Sequence, residues 1–187
     1  MTRLLQNLMV TLMNSESSSI NKKLMRGVYM GFTIFYFSAT GNSLEITTKI
    51  AKELGYCTIK SMAAQMPSEP VGGPGESIGF VFPVFYNGLP RLVKRFIEKL
   101  AIFPETYCFA ITNSGGTRAN PLGMLEDILT EKGIRLSYAD EVKMPGNYIV
   151  SHQAPASDKV QKIINAAAGK NTVHVCPQIT GRCPGIG

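Results

Sequence analysis

A chain of 187 residues with 44% hydrophobic content is long enough to bury one full core, and no apolar run reaches the roughly 18 residues that a membrane helix needs. The net charge of +6 divides into +3 over residues 1–29, +1 over 30–168 and +2 over 169–187, so the near-neutral centre argues against a nucleic-acid partner. Cys57, Cys108, Cys176 and Cys183 show no framework spacing, which makes a reducing cytosol the expected location.

Residues 1–29 read as an extension. The apolar stretch over 4–13 is interrupted by Gln6 and Asn7. Only Arg3 precedes it and no small-residue cleavage site follows, so it is not read as a signal peptide. The polar run 15–19 is of low complexity. Met30 stands two residues before the first strand and is expected to be the natural start.

The first strand is near-continuously apolar from Phe32 to Phe37, as suits a strand buried on both faces of a parallel sheet. The loop Ser38-Ala39-Thr40-Gly41-Asn42-Ser43 follows, and helical periodicity starts directly after it. Such a loop places the free N–H groups of a first helical turn where an anion can sit. It carries no Lys or Arg. A phosphate here would be held by backbone N–H groups and the hydroxyls of Ser38, Thr40 and Ser43, with Gly41 allowing close approach. The plainer alternative is a strand-to-helix turn with Gly41 or Asn42 as N-cap.

The helix presents Leu44, Ile46, Ile50, Ala51 and Leu54 on one face and stops at Gly55. Residues 56–62 form a short strand. Residues 63–76, rich in Pro and Gly, form a connector; Gly72-Gly73-Pro74-Gly75 leads into a strand rather than a helix, so it is not read as a phosphate loop. Residues 77–84 form the next long apolar strand. Asn87-Gly88 marks a tight turn, and Pro90 is placed at the first position of the following helix. That helix carries Leu92, Val93, Phe96, Ile97 and Leu100 on one face and Arg91, Lys94, Arg95 and Lys99 on the other. The cations read as a solvated face or as a docking surface for an acidic partner.

Residues 106–113 form another buried strand, followed by Ser114-Gly115-Gly116-Thr117. Asn120 caps a helix with Pro121 first, Leu122, Leu125, Ile128 and Leu129 on its face, and Gly133 as its stop. Residues 134–144 form the last strand, 145–155 a loop, and Ser157 or Asp158 begins a final helix. Strands alternating with helices imply a parallel sheet covered on both faces, with ligands at the carboxyl ends of the strands.

From Gly169 the pattern breaks. Cys176-Pro177 and Cys183-Pro184 do not have cluster-ligand spacing, and a metal site from these cysteines and His174 is not favoured. A one-base frame slip near Ala168 is the expected origin of this tail. No nucleophile elbow, paired-carboxylate or metal-ligand spacing occurs, and His152 lies in a loop, so hydrolase and metalloenzyme readings are weak.

The loop at 38–43 resembles the phosphate loop of flavodoxins, Ser/Thr-x-Thr-Gly-x-Ser/Thr. Phe35-Tyr36-Phe37-Ser38, Phe82-Pro83-Val84 with Gly88-Leu89-Pro90, and Met144-Pro145-Gly146-Asn147-Tyr148 extend the resemblance. It is closest to proteins of anaerobic prokaryotes that fuse a flavodoxin-like domain to a C-terminal ferredoxin domain with two iron–sulfur clusters. The resemblance covers residues 30–168 and implies an α/β three-layer sandwich with five parallel strands in the order 2-1-3-4-5. It implies FMN as cofactor, its phosphate held by Ser38, Ala39, Thr40, Gly41, Asn42 and Ser43. Pro83, Phe85, Tyr86, Asn87 and Gly88 would flank one side of the flavin ring, and Asn113, Ser114, Gly115 and Gly116 its pyrimidine edge. Tyr148 would cover the ring or lie on the surface, and Phe85 would stack or pack in the core.

The implied function is electron transfer through bound FMN, to or from a separate ferredoxin-like iron–sulfur partner, since this chain lacks the fused module. An FMN-dependent reductase of nicotinamide cofactors or quinones, and a truncated domain without cofactor, are the alternatives.

Overall fold

The structure, a computed structural model, describes residues 31–64, 66–115 and 119–144. The expected extension, the loop at 145–155, the final helix and the tail lie outside the described residues. The elements in chain order are β1 (Phe32–Tyr36), α1 (Asn42–Leu54), β2 (Cys57–Ser61), β3 (Ser77–Pro83), α2 (Arg91–Lys99), β4 (Tyr107–Ser114), α3 (Pro121–Glu131) and β5 (Leu136–Lys143). All neighbouring strands pair in parallel, in the order β2-β1-β3-β4-β5. This is the flavodoxin-like order that the resemblance implied.

Alternation along each strand divides the core into two layers, since successive side chains point to opposite faces. Phe35, Ile78, Phe80, Phe82, Cys108 and Ala110 pack with Val93, Phe96 and Ile97 of α2 and Leu125 and Leu129 of α3. Phe32, Ile34, Val81, Phe109 and Ile111 pack with Ile46 and Ile50 of α1. The sheet is therefore covered by α1 on one face and by α2 and α3 on the other. Every residue of β3 but the last is buried, which is why its sequence reads as an unbroken apolar run.

The α1 stripe is Ser43, Ile46, Thr47, Ile50 and Ala51, a spacing of three and four residues. It differs from the expected face at its start: Leu44 is 40% exposed, and small hydroxyl residues face the sheet in its place. The Thr47 hydroxyl donates to the Ser43 carbonyl at 2.7 Å, so this buried alcohol is satisfied within the helix. Gly55 ends α1 with positive φ, and its N–H donates to the Ala51 carbonyl, as expected.

Pro90 occupies the N-cap of α2 rather than its first turn. Its ψ of 138° is extended, so the helix starts one residue later, at Arg91. The Asn120 side chain accepts from the Gly123 N–H at 3.0 Å with Pro121 beginning α3, as the sequence indicates. Behind α3, Gly133 at φ 71° turns the chain into β5.

The connector before β3 is ordered by Thr106. Its hydroxyl accepts from the Gly73 N–H at 2.9 Å and donates to the Phe103 carbonyl at 2.6 Å. Gly72 must be glycine here, because a Cβ would lie 2.4 Å from the Thr106 hydroxyl oxygen. The stretch Gly72-Gly73-Pro74-Gly75 thus belongs to the amino end of the sheet, as a connector.

Candidate functional site

Three segments meet at the carboxyl edge of the sheet: 37–43 after β1, 84–90 after β3, and 113–115 at the end of β4. Beta1 is the strand where the order reverses, with β2 on one side and β3 on the other. A crevice opens at such a reversal because the connections leave in opposite directions.

The first segment closes on itself. The Gly41 N–H donates to the Ser38 hydroxyl at 3.0 Å. Gly41 is the N-cap of α1, in the left-handed region at φ 96°, and no side chain caps the helix. The first intrahelical bond runs from the Glu45 N–H to the Gly41 carbonyl. Nothing lies within 4 Å of the point where a Cβ of Gly41 would stand. The Cβ position of Gly41 is therefore open, and the first-turn dipole favours an anion at this helix start, although Glu45 already stands in that turn. Ala39 and Thr40 are exposed at the loop's outer surface, whereas Ser43 is buried at 1% exposure.

Ser43 turns inward to meet β4. The Asn113 side-chain amide donates to its hydroxyl oxygen at 2.6 Å, across 70 residues of sequence. The Ser43 hydroxyl keeps its own proton for a further acceptor. Asn113 and Ser114 are strand residues and both are buried. The Asn113 carbonyl accepts from the Val84 N–H at 3.0 Å, and the Ser114 carbonyl from the Met144 N–H at 2.9 Å. The Ser114 hydroxyl donates to the Glu141 carboxylate. The expected loop thus begins at Gly115, which is exposed. Gly116 and Tyr148 lie outside the described residues.

The second segment leaves β3 at Pro83, which is paired with Asn113. It then folds as a mirror-image turn. The Phe85 N–H donates to the Gly88 carbonyl at 3.1 Å, and the Gly88 N–H to the Phe85 carbonyl at 2.9 Å. Tyr86 and Asn87, at φ 47° and 60°, are its two central residues, so Gly88 closes the turn rather than supplying its positive φ. The Tyr86 ring stands 97% exposed at the tip. Gly88 is buried instead: a Cβ there would meet the Met124 sulfur at 3.1 Å. Phe85 is 39% exposed and sets its ring edge-on to Phe37, with centroids 5.9 Å apart.

Phe37, Met124 and Glu141 belong to this rim and were not among the expected site residues. Phe37 is the one with a sequence signal, because it shares a strand face with Phe35. The other two come from elements whose position only the fold supplies.

The thiols of Cys57 and Cys108 are pushed up to about 11 and about 12 by burial, and Tyr138 to about 12 by burial and the neighbouring Asp140 carboxylate. None of the three lies in the rim segments. Among the described residues no group of three His, Cys, Asp or Glu side chains is placed to hold a metal ion.

No family model and no curated protein matches this sequence. Solved structures do share its course. A candidate flavoprotein from Bacteroides uniformis is 18% identical, with TM-score 0.48, over 73% of this chain and 99% of that one. A flavodoxin from the domain Archaea is 11% identical, with TM-score 0.42, over 75% and 95%. The rubredoxin oxygen:oxidoreductase of Desulfovibrio gigas is 14% identical, with TM-score 0.43, over 86% of this chain and 40% of that longer one. At these identities the likeness concerns the fold alone.

Proposed function

We propose that this protein binds FMN at the carboxyl edge of its sheet and carries electrons through it. One observation supports the reading most: α1 begins with no side-chain cap, behind a left-handed Gly41 whose Cβ position is open. Backbone N–H groups of a helix's first turn suit a dianionic phosphate, and they bind it without a cation. The Thr40 hydroxyl sits in the same exposed loop.

The fit extends to the ring. The exposed Tyr86 offers a flat face beside this loop, at low cost in side-chain entropy. The buried Asn113–Ser43 bond and the Phe37–Phe85 contact hold the loops in fixed relation, which pre-pays ordering for a ligand that bridges them. Bound FMN would supply one- or two-electron redox chemistry. The chain's part is to grip the phosphate, flank the ring and limit water on its inner side. In this reading the electron donor or acceptor is a ferredoxin-like iron–sulfur protein, and the protein acts as a carrier.

Titration of the full chain with FMN and with riboflavin tests this. FMN is expected to bind at least about tenfold more tightly, and Gly41→Glu is expected to abolish that preference by placing a carboxylate in the anion's space. Equal affinity for the two flavins would remove the phosphate from this loop.

A further inference from the structure

We infer that the outer face of α2, together with the Tyr86 turn, is the docking surface for an acidic electron-carrier protein. This deepens the proposed function, on which it rests for its purpose. Four of the five charged side chains of α2 are cationic: Arg91, Lys94, Arg95 and Lys99. All four are exposed. Lys94 lies 3.7 Å from Glu98 in a solvent-exposed pair. Arg91, Arg95 and Lys99 have no ion-pair partner among the described residues.

Helix physics favours Lys99 in the last turn but does not ask for Arg91 in the first. The amino end of a helix carries a partial positive charge, so cations in its first turn are unfavourable. Alpha2 has no acidic residue there and begins on Arg91. Alpha3 also lacks an acid in its first turn. Its acids, Glu126, Asp127 and Glu131, start at its sixth residue, toward the far end of the sheet. The acids near the rim have partners: Glu45 in the first turn of α1 pairs with Lys49, Glu141 accepts from Ser114, and Asp140 accepts from the Tyr138 hydroxyl and the Glu141 N–H. Arg91 and Arg95, without an ion-pair partner among the described residues, thus stand toward the rim end of α2, a few residues beyond Tyr86.

Lys132 extends the stripe at the other end. Its ammonium donates to the Glu98 carbonyl at 2.6 Å and to the Leu100 carbonyl at 3.3 Å, fixing a charge against the end of α2. A line of cations running away from a fully exposed aromatic ring matches a partner that is steered by charge and seated by one apolar contact. Such encounters are small and salt-sensitive, as suits rapid exchange.

The test uses the full chain, with and without FMN, and a purified acidic [2Fe–2S] ferredoxin as probe. Affinity is measured by calorimetry at about 20 mM and about 200 mM salt. Arg91→Glu with Arg95→Glu should weaken binding at low salt by about tenfold or more. Lys52→Glu with Lys60→Glu, the same change of charge on α1 and β2, should weaken it by less than about threefold. Glu at position 91 suits the helix dipole, so loss of fold does not explain a loss of binding. Equal weakening by the two pairs, or no association at low salt, overturns the docking surface. A dimer of this chain that dissociates in the Arg91→Glu, Arg95→Glu variant also overturns it, by giving the face to a second copy. Binding of the ferredoxin without FMN decides the surface independently of the flavin titration, so either reading can fail alone.

Discussion

Ser43 and Asn113 meet through a buried 2.6 Å hydrogen bond that joins the start of α1 to the end of β4. Removing either partner strands the other in the core, at a cost of about 1–3 kcal/mol. Ser43→Ala and Asn113→Ala should each lower the urea midpoint, and the double variant should lose clearly less than the sum. Strict additivity would show that the contact carries no coupling. Thr112 presents the opposite case. It is fully buried in β4, and its hydroxyl has no hydrogen-bond partner among the described residues. Valine has the same shape and suits a strand. Thr112→Val should therefore raise stability by roughly 1 kcal/mol, read as a higher midpoint at unchanged slope. A lower midpoint would mean that the hydroxyl is used.

Elements pack here by complementing large side chains with small ones. Gly79 in β3 lies under the Phe109 ring of β4, and a Cβ would come within 2.3 Å of it. Gly79→Ala should cost about 1–3 kcal/mol by forcing the ring off its position. The companion variant Phe109→Leu with Gly79→Ala should recover part of the loss in thermal melts, and failure to recover any would move the strain elsewhere. Apolar faces at helical spacing were readable in the sequence, and so was the Asn120-Pro121 start of α3. The Leu44 position was not. Helical spacing accommodates Leu44 in a hydrophobic stripe, but the close approach of α1 to β4 selects Ser43 and Thr47 for the inner side. Asn87-Gly88 does mark a turn, as the sequence indicates, but only the Phe85–Gly88 pairing shows that Tyr86 and Asn87 sit at its tip.

For the molecule as a whole, the displaced ionisations predict alkaline sensitivity. Burial raises Cys57 to about 11 and Cys108 to about 12, against 9.0 for a free thiol. Tyr138 rises from 10.0 to about 12. The native state therefore keeps protons that the unfolded chain releases, and stability is complete below pH 9 and lost as pH climbs toward 12. The urea midpoint should fall between about pH 8 and pH 10.5, and Cys108→Ala should flatten that fall while lowering the midpoint at pH 8. A midpoint constant over this range would contradict the buried thiol.

The sequence by itself determined the alternation of strands and helices, the parallel sheet with its candidate site at the carboxyl edge, and the uncharged loop that opens α1. These follow from local periodicity and from residues that fix the backbone, such as Gly41 and Pro121. Tertiary structure alone decided which side chains cross between loops. The Asn113–Ser43 bond spans 70 residues, and the Phe37–Phe85 contact joins two strands' ends. Neither has a periodic signature, because each depends on where the sheet sets one loop beside another.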